Sequence, residues 1–153
     1  MILDMLEIAN RLSEDGKYFQ ALKLYENILQ LETTNIEAII DYGVTLQNME
    51  LYHQALVAYD QALSLEPKNI SALINKGSVL HTLGKYTDAI ICYDIVLCID
   101  GRNPIVLVYK GLCIAEIGNI QPAIKYFKKA LSIDSKCELA KVSIDTAKYI
   151  MKP

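Results

Sequence analysis

Hydrophobic and polar positions recur along the chain with a step of 34 residues. Ala21, Ala55, Ala89 and Ala123 stand at this spacing, and the aliphatic, aromatic and small positions around them repeat in the same register. No residue is inserted or lost over residues 2–137. Within each repeat the apolar residues twice follow the three-to-four spacing of an amphipathic helix, with a break between the two stretches. The pattern predicts a stack of helical hairpins.

The breaks between the predicted helices fall at residues that end or begin helices. In the third repeat Gly84 ends the first helix, and Thr87–Asp88 is expected to cap the second. The second repeat closes at Glu66–Pro67, because proline cannot continue a helix. Asparagines, which make good N-caps, stand where the next first helices begin, at Asn35, Asn69 and Asn103.

The period divides one predicted domain, residues 1–153, into four repeats and a tail. The repeats are 2–35, 36–69, 70–103 and 104–137. The tail starts like a fifth repeat, but Asp145 falls where the small residue would be and no second helix follows. Because a stacked array must cover its last apolar face, residues 138–151 are predicted to form a capping helix.

Small residues recur for a reason of packing. Two helices joined by a short turn pack antiparallel, and their closest approach admits only glycine or alanine. Gly77 and Ala89 are predicted to form that contact in the third repeat.

The repeats resemble the tetratricopeptide repeat family over residues 2–137. The family signature of a small residue, an aromatic, an alanine, a second aromatic and a closing proline is matched by Gly43, Tyr52, Ala55, Tyr59 and Pro67. The resemblance implies an all-α fold, a right-handed superhelical solenoid of four helix-turn-helix repeats plus a C-terminal capping helix. One departure concerns the leucine expected just before the small residue, which becomes lysine in the last two repeats. Those lysines are expected either to extend their stems over the core edge or to leave looser packing there.

Composition excludes several classes of function. The net charge is −3 and the isoelectric point lies near 5.4, which disfavours a nucleic-acid partner. No apolar run could span a bilayer and the opening residues do not form a secretory leader, so no membrane association and a cytoplasmic location are expected. The four cysteines are then interpreted as free thiols.

Charge is distributed unevenly. Residues 1–69 hold four basic and eleven acidic residues, whereas residues 70–153 hold eleven basic and seven acidic ones. This asymmetry would suit head-to-tail self-association. The alternative is that both faces are simply solvated, since surface ion pairs contribute little.

The residue types needed for chemistry are absent or scattered. The two histidines, His53 and His81, lie on different repeats, and no metal-ligand spacing or glycine-rich phosphate loop is present. The cysteines are interpreted as small buried hydrophobes. The sequence therefore predicts no enzyme activity, no cofactor and no metal site.

In the family the first helices of successive repeats line a concave groove, and the resemblance implies that a partner binds there. Groove positions that recur every 34 residues form ladders along the array. One ladder is entirely aliphatic and others are mixed, and the groove changes from polar and acidic at the first repeats to apolar at the last ones. The alternative is that the aliphatic ladder belongs to the core between adjacent helices. The expected groove residues are Leu6, Asn10, Ile40, Val44, Ile74, Ser78, His81, Val108, Tyr109, Leu112, Val142 and Tyr149.

The expected function is that of a protein-interaction scaffold with a protein or peptide partner. Some members of the family clamp the C-terminal carboxylate of a chaperone with basic side chains, but the matching positions here carry no lysine or arginine. The alternative from another class is a structural module, whose groove or end surface mediates homo-oligomerisation.

Overall fold

The computed structural model describes residues 1–153, and all of its regular structure is helical. This confirms the predicted all-α repeat fold. The nine helices are α1 (Ile2–Glu14), α2 (Tyr18–Leu31), α3 (Ile36–Asn48), α4 (Tyr52–Leu65), α5 (Ile70–Thr82), α6 (Tyr86–Ile99), α7 (Pro104–Glu116), α8 (Ile120–Ile133) and α9 (Glu138–Ile150). The chain forms two compact units, residues 1–79 and 80–153, with the boundary inside α5.

The turn inside each repeat has a left-handed residue at the same repeat position. Gly16, Gly84 and Gly118 have φ between 73° and 100°. In the second repeat the same position is occupied by Glu50, with φ 61°. The amide that follows this residue donates back to the last turn of the first helix, as from Lys17 N to Leu12 O at 2.8 Å. Glycine is favoured there because a side chain is strained at positive φ.

The three asparagine N-caps are confirmed. Asn35, Asn69 and Asn103 each accept a hydrogen bond from the backbone N–H three residues later, at 3.0–3.1 Å. The predicted cap at Thr87–Asp88 is wrong, because α6 already begins at Tyr86 and its N-cap Lys85 makes no side-chain cap bond. The chain enters the second helices directly from the left-handed turn, so no capping side chain is needed to set their start.

In the unit of residues 1–79, α1 and α2 pack together and α3 packs on both. One core cluster collects small and large apolar side chains from these three helices. Its buried members are Leu6, Ala9, Ala21, Tyr25, Ile28 and Ala38. Helix α4 packs on α3.

In the unit of residues 80–153, α7 packs between α6 and α8, and α9 covers α7 and α8. A core cluster joins the last three helices, and Cys137, Ala140 and Ile144 belong to it. The packing agrees with a capping role for α9, since side chains of the tail complete the core formed by α7 and α8.

The glycines of the first helices contact aromatic rings. A Cβ atom on Gly43 would lie 2.7 Å from Cε1 of Tyr59, and one on Gly111 would lie 2.6 Å from Cε1 of Phe127. In these repeats the small residue therefore makes room for the aromatic of the second helix. Gly77 and Ala89 fall in different units, and their contact stays a prediction.

The two lysines that replace the signature leucine form ion pairs with the preceding second helix. Lys76 Nζ lies 2.6 Å from Asp60 of α4, and Lys110 Nζ lies 2.5 Å from Asp94 of α6. Lys110 also lies over the ring of Tyr126, 4.7 Å from its centroid. Each stem follows the core edge while its ammonium reaches a carboxylate, as the sequence led us to expect.

Candidate protein-interaction surface

A cleft of about 250 Å³ opens where α1, α2 and α3 meet. Most of the side chains that border it are polar. They come from the last turns of α1, the middle of α2 and the middle and last turn of α3, and they are Asn10, Ser13, Glu14, Tyr25, Asp41, Val44 and Asn48.

A second cleft, of about 380 Å³, runs along the same side of α1. It shares Asn10 and Glu14 with the first cleft, so the two form one continuous surface, which we call the α1–α3 cleft. Its remaining members add two acids, one base and two leucines, namely Leu3, Leu6, Glu7, Arg11 and Glu37.

Hydrogen bonds fix the polar floor of the α1–α3 cleft. The Tyr25 hydroxyl donates to Oδ1 of Asn10, and the Asn10 side chain also hydrogen-bonds the carboxylate of Asp41. One amide therefore links α2 to α3. Thr45, which is fully buried, donates to the Asp41 carbonyl at 2.9 Å, and its hydroxyl lies 2.9 Å from that of Ser13. These bonds hold Asp41 and Asn10 in defined positions.

Burial raises the pKa values of Asp41 and Tyr25 in the floor of the cleft. Desolvation raises the pKa of Asp41, the hydrogen bond from Asn10 opposes that shift, and the nearby charge of Glu37 adds to it. Burial and the charge of Asp41 also raise the pKa of the Tyr25 hydroxyl. The tyrosine therefore stays a neutral hydrogen-bond donor, and Asp41 is a partly buried carboxylate without a cationic partner.

The expected groove residues of the first unit divide into core and surface. Leu6 and Ile40 are buried. Asn10 and Val44 are half-buried and border the α1–α3 cleft. Ile74 and Ser78 of α5 are half-buried too.

In the second unit the same ladders give a wider range of exposure. Val108 is 0% exposed and belongs to the core, whereas its counterpart Val142 on α9 is 58% exposed and Tyr149 is 76% exposed. Leu112 is half-buried. Tyr109 is also half-buried, with its ring against that of Tyr93, 5.8 Å between centroids.

His81, the remaining groove candidate, lies near the C-terminal end of α5. Its ring contacts that of Tyr86, with centroids 5.4 Å apart. Its Nε2 atom is buried and has no hydrogen-bond partner.

Sequence reasoning left several cleft residues out of the expected set. Tyr25 stands 34 residues before the signature aromatic Tyr59, and its ring is buried like a core residue, but its hydroxyl reaches the cleft floor. Glu14 and Asn48 stand 34 residues apart, at a repeat position that the expected groove residues do not include. Asp41 directly follows the expected groove residue Ile40 and is likewise outside that set.

No three histidine, cysteine, aspartate or glutamate side chains gather closely enough to hold a metal ion. No helix has the length and apolar character needed to cross a membrane.

Comparison with protein families agrees with the repeat architecture. A family model described as "Anaphase-promoting complex, cyclosome, subunit 3" matches residues 14–96, more than half of the chain. A model described as "Tetratricopeptide repeat" matches residues 110–137. The chain belongs to the tetratricopeptide repeat family. Proteins of this family generally act as protein-interaction scaffolds and are typically non-catalytic.

Two solved structures have a fold similar to that of this chain. The chain is 20% identical to the MamA RS-1 ArsTM double mutant, with a TM-score of 0.87 over 97% of this chain and 84% of that one. A tetratricopeptide repeat protein from Parabacteroides merdae is 21% identical, with a TM-score of 0.84 over 97% of this chain and 60% of that one. At these identities the likeness shows the fold alone.

One curated relative matches a short segment. The "Probable UDP-N-acetylglucosamine--peptide N-acetylglucosaminyltransferase SPINDLY" of Oryza sativa subsp. japonica is 42% identical over 48 residues, which is 31% of this chain. The chain spans 5% of the length of that protein.

Proposed function

We propose that this tetratricopeptide repeat protein is a non-catalytic scaffold that binds an extended or helical segment of a partner protein, and that the α1–α3 cleft receives a lysine or arginine of that segment. The observation that carries the proposal is the charge of the cleft. Glu14, Glu37 and Asp41 border it without an ion pair, and its one base, Arg11, is already 3.0 Å from Glu7.

Asp41 gives this charge a defined position. Its carboxylate is half-buried and its pKa is raised, so ionisation in the free protein is opposed by desolvation. A cationic side chain in the cleft would supply the missing partner and form a charge-assisted hydrogen bond. The uncharged wall of Val44 and the leucines would accept the aliphatic stem of the same lysine or arginine.

The exposed face of α9 offers a separate apolar contact for a partner. Val142, Tyr149 and Ile150 are each more than half exposed. Burying two or three such side chains contributes roughly 1.5–3 kcal/mol each. Association costs about 4 kcal/mol or more. The expected affinity is therefore micromolar or weaker.

The test is selection of binding peptides from a random displayed library, first on the unaltered protein and then on the double variant Asp41→Asn/Glu14→Gln. Peptides selected on the unaltered protein should be enriched in lysine and arginine and should bind the variant about tenfold less tightly. Asp15→Asn/Asp145→Asn is the matched control, because it removes the same charge at exposed positions outside the cleft.

The pH dependence of binding supplies a second readout. A cation binds the ionised form of Asp41, so affinity should fall as the pH is lowered through the raised pKa of this group. Selected peptides that lack basic residues, or that bind the Asp41 variant as tightly as the unaltered protein, would remove the α1–α3 cleft from the proposal.

Self-assembly is a second candidate, and the exposed apolar side chains of α9 favour it. A face that carries Val142 and Tyr149 could pair with another copy of the chain. Light scattering over a concentration series tests this. A discrete oligomer that dissociates on Val142→Asp/Tyr149→Asp substitution would support self-assembly, and a monomer at all concentrations would exclude it.

A further inference from the structure

Helix α6 is apolar on both of its sides. Its buried side carries Ala89, Cys92, Tyr93 and Val96. On the opposite side Ile91 is 56% exposed and Ile95 is 37% exposed. Apolar residues on both sides of a helix are normally covered on both sides, so Ile91 and Ile95 lack a covering element.

Only α6 among the second helices carries an aliphatic residue at both of these outer positions. At the repeat position of Ile91 the other second helices carry Lys23, Val57 and Lys125, and at the position of Ile95 they carry Asn27, Gln61 and Lys129. Packing inside the repeat therefore does not require isoleucine at these positions. Two aliphatic residues one helical turn apart form a stripe that a partner can cover.

The outer side of α8, the next second helix along the chain, is basic. Lys125, Lys128 and Lys129 are exposed, and none of them forms an ion pair. Lys110 of α7 connects the two helices, because its ammonium contacts both Asp94 of α6 and the ring of Tyr126 of α8. Ile91 and Lys125 stand at one repeat position and Ile95 and Lys129 at another, so the isoleucines and the unpaired lysines occupy the same outer side of successive second helices, which we call the α6–α8 surface.

We propose that the α6–α8 surface binds an acidic amphipathic helix of another protein, whose aliphatic side chains cover Ile91 and Ile95 while its carboxylates pair with the lysines of α8. This second binding surface is independent of the α1–α3 cleft and has the opposite charge. A second copy of the chain is a poorer occupant. On its acidic helix α1, Asp4 already pairs with the N-terminal amine and Glu7 pairs with Arg11.

Cys98 gives a direct readout of occupancy. It is the exposed cysteine of the chain, and it lies one turn beyond Ile95 on the same side of α6. Covering the α6–α8 surface should slow alkylation of Cys98 by iodoacetamide, measured by intact mass. The probe is a capped synthetic helix of about 18 residues, long enough to be helical in water, with leucines on one stripe flanked by glutamates. A peptide with lysine in place of every glutamate is its control.

The glutamate peptide should protect Cys98 from alkylation, whereas the lysine peptide should not. Ile91→Ser/Ile95→Ser and Lys125→Glu/Lys129→Glu should each weaken binding of the glutamate peptide about tenfold or more, measured by fluorescence anisotropy. Binding should also weaken with salt, because the lysines are exposed. Two control variants change matched residues outside the surface: Phe19→Ser removes an exposed apolar side chain, and Lys23→Glu/Lys68→Glu reverses two exposed lysines.

Three results would overturn the proposal, given circular dichroism that shows folded variants. The first is a glutamate peptide that leaves Cys98 unprotected, or that binds the unaltered protein and both surface variants equally. The second is protection by vesicles of anionic phospholipid but not by the peptide, which would assign the surface to a membrane. The third is self-association lost on Ile91→Ser/Ile95→Ser, which would make it a contact between copies.

Discussion

A single methyl group at Gly43 tests how the repeats pack. In Gly43→Ala the new Cβ would lie 2.7 Å from Cε1 of Tyr59 and 3.2 Å from Cβ of Ala58. Carbon atoms in favourable contact are about 3.5–4.0 Å apart, so the ring would have to move by roughly 1 Å. Tyr59 is fully buried, and its hydroxyl donates to Gln47 at 2.8 Å, which leaves it little freedom to move.

Two opposing effects set the size of the change. Overpacking a well-packed site costs about 1–3 kcal/mol. Alanine in place of glycine inside a helix contributes about 1 kcal/mol in the opposite direction. We expect a net loss in the free energy of unfolding of about 1 kcal/mol, which lowers the melting temperature by roughly 2–4 °C in a protein of this size.

The measurement is urea unfolding followed by far-ultraviolet circular dichroism, on Gly43→Ala alone and in a Tyr59→Leu background. The smaller side chain should remove the clash, so in that background the alanine should be neutral or stabilising. The resulting coupling free energy should be about 1–3 kcal/mol. A coupling near zero, or a gain of about 1 kcal/mol from Gly43→Ala alone, would show that the glycine is not required by the ring.

Three further predictions concern charge, the capping helix and thiol chemistry. The folded-state pKa of Asp41 lies above its ordinary value of 3.8, so the stability that this group contributes at low pH is lost as the pH rises through the raised pKa. Asp41→Asn should therefore raise the melting temperature at neutral pH, and the difference from the unaltered protein should shrink on acidification. Deleting residues 138–153 should uncover the core formed by α7 and α8 and cause aggregation, detected by light scattering; a monomeric truncated chain with an unchanged melting temperature would contradict the capping role. Cys98 should react with Ellman's reagent in the native protein well before Cys113, which is buried and has a pKa raised to about 11; equal rates would contradict the described burial.

The sequence predicted the helices because their determinants are local. The three-to-four spacing of apolar residues, the three asparagine caps and the left-handed glycines all act within one or two turns of the chain. The misplaced cap at Thr87–Asp88 shows the limit of this reasoning. Two residues with good capping side chains were outweighed by a turn that already fixed the start of α6.

Which side chains of the expected groove are exposed was decided by the tertiary structure. Val108 and Val142 occupy the same repeat position, yet one is fully buried and the other is 58% exposed. The period determines where a residue lies around its own helix, but burial depends on whether a neighbouring helix covers that side. Tyr25 makes the same point: its ring occupies the repeat position of the signature aromatic Tyr59, whereas its hydroxyl donates to Asn10, which in turn bonds Asp41, because α1, α2 and α3 converge there.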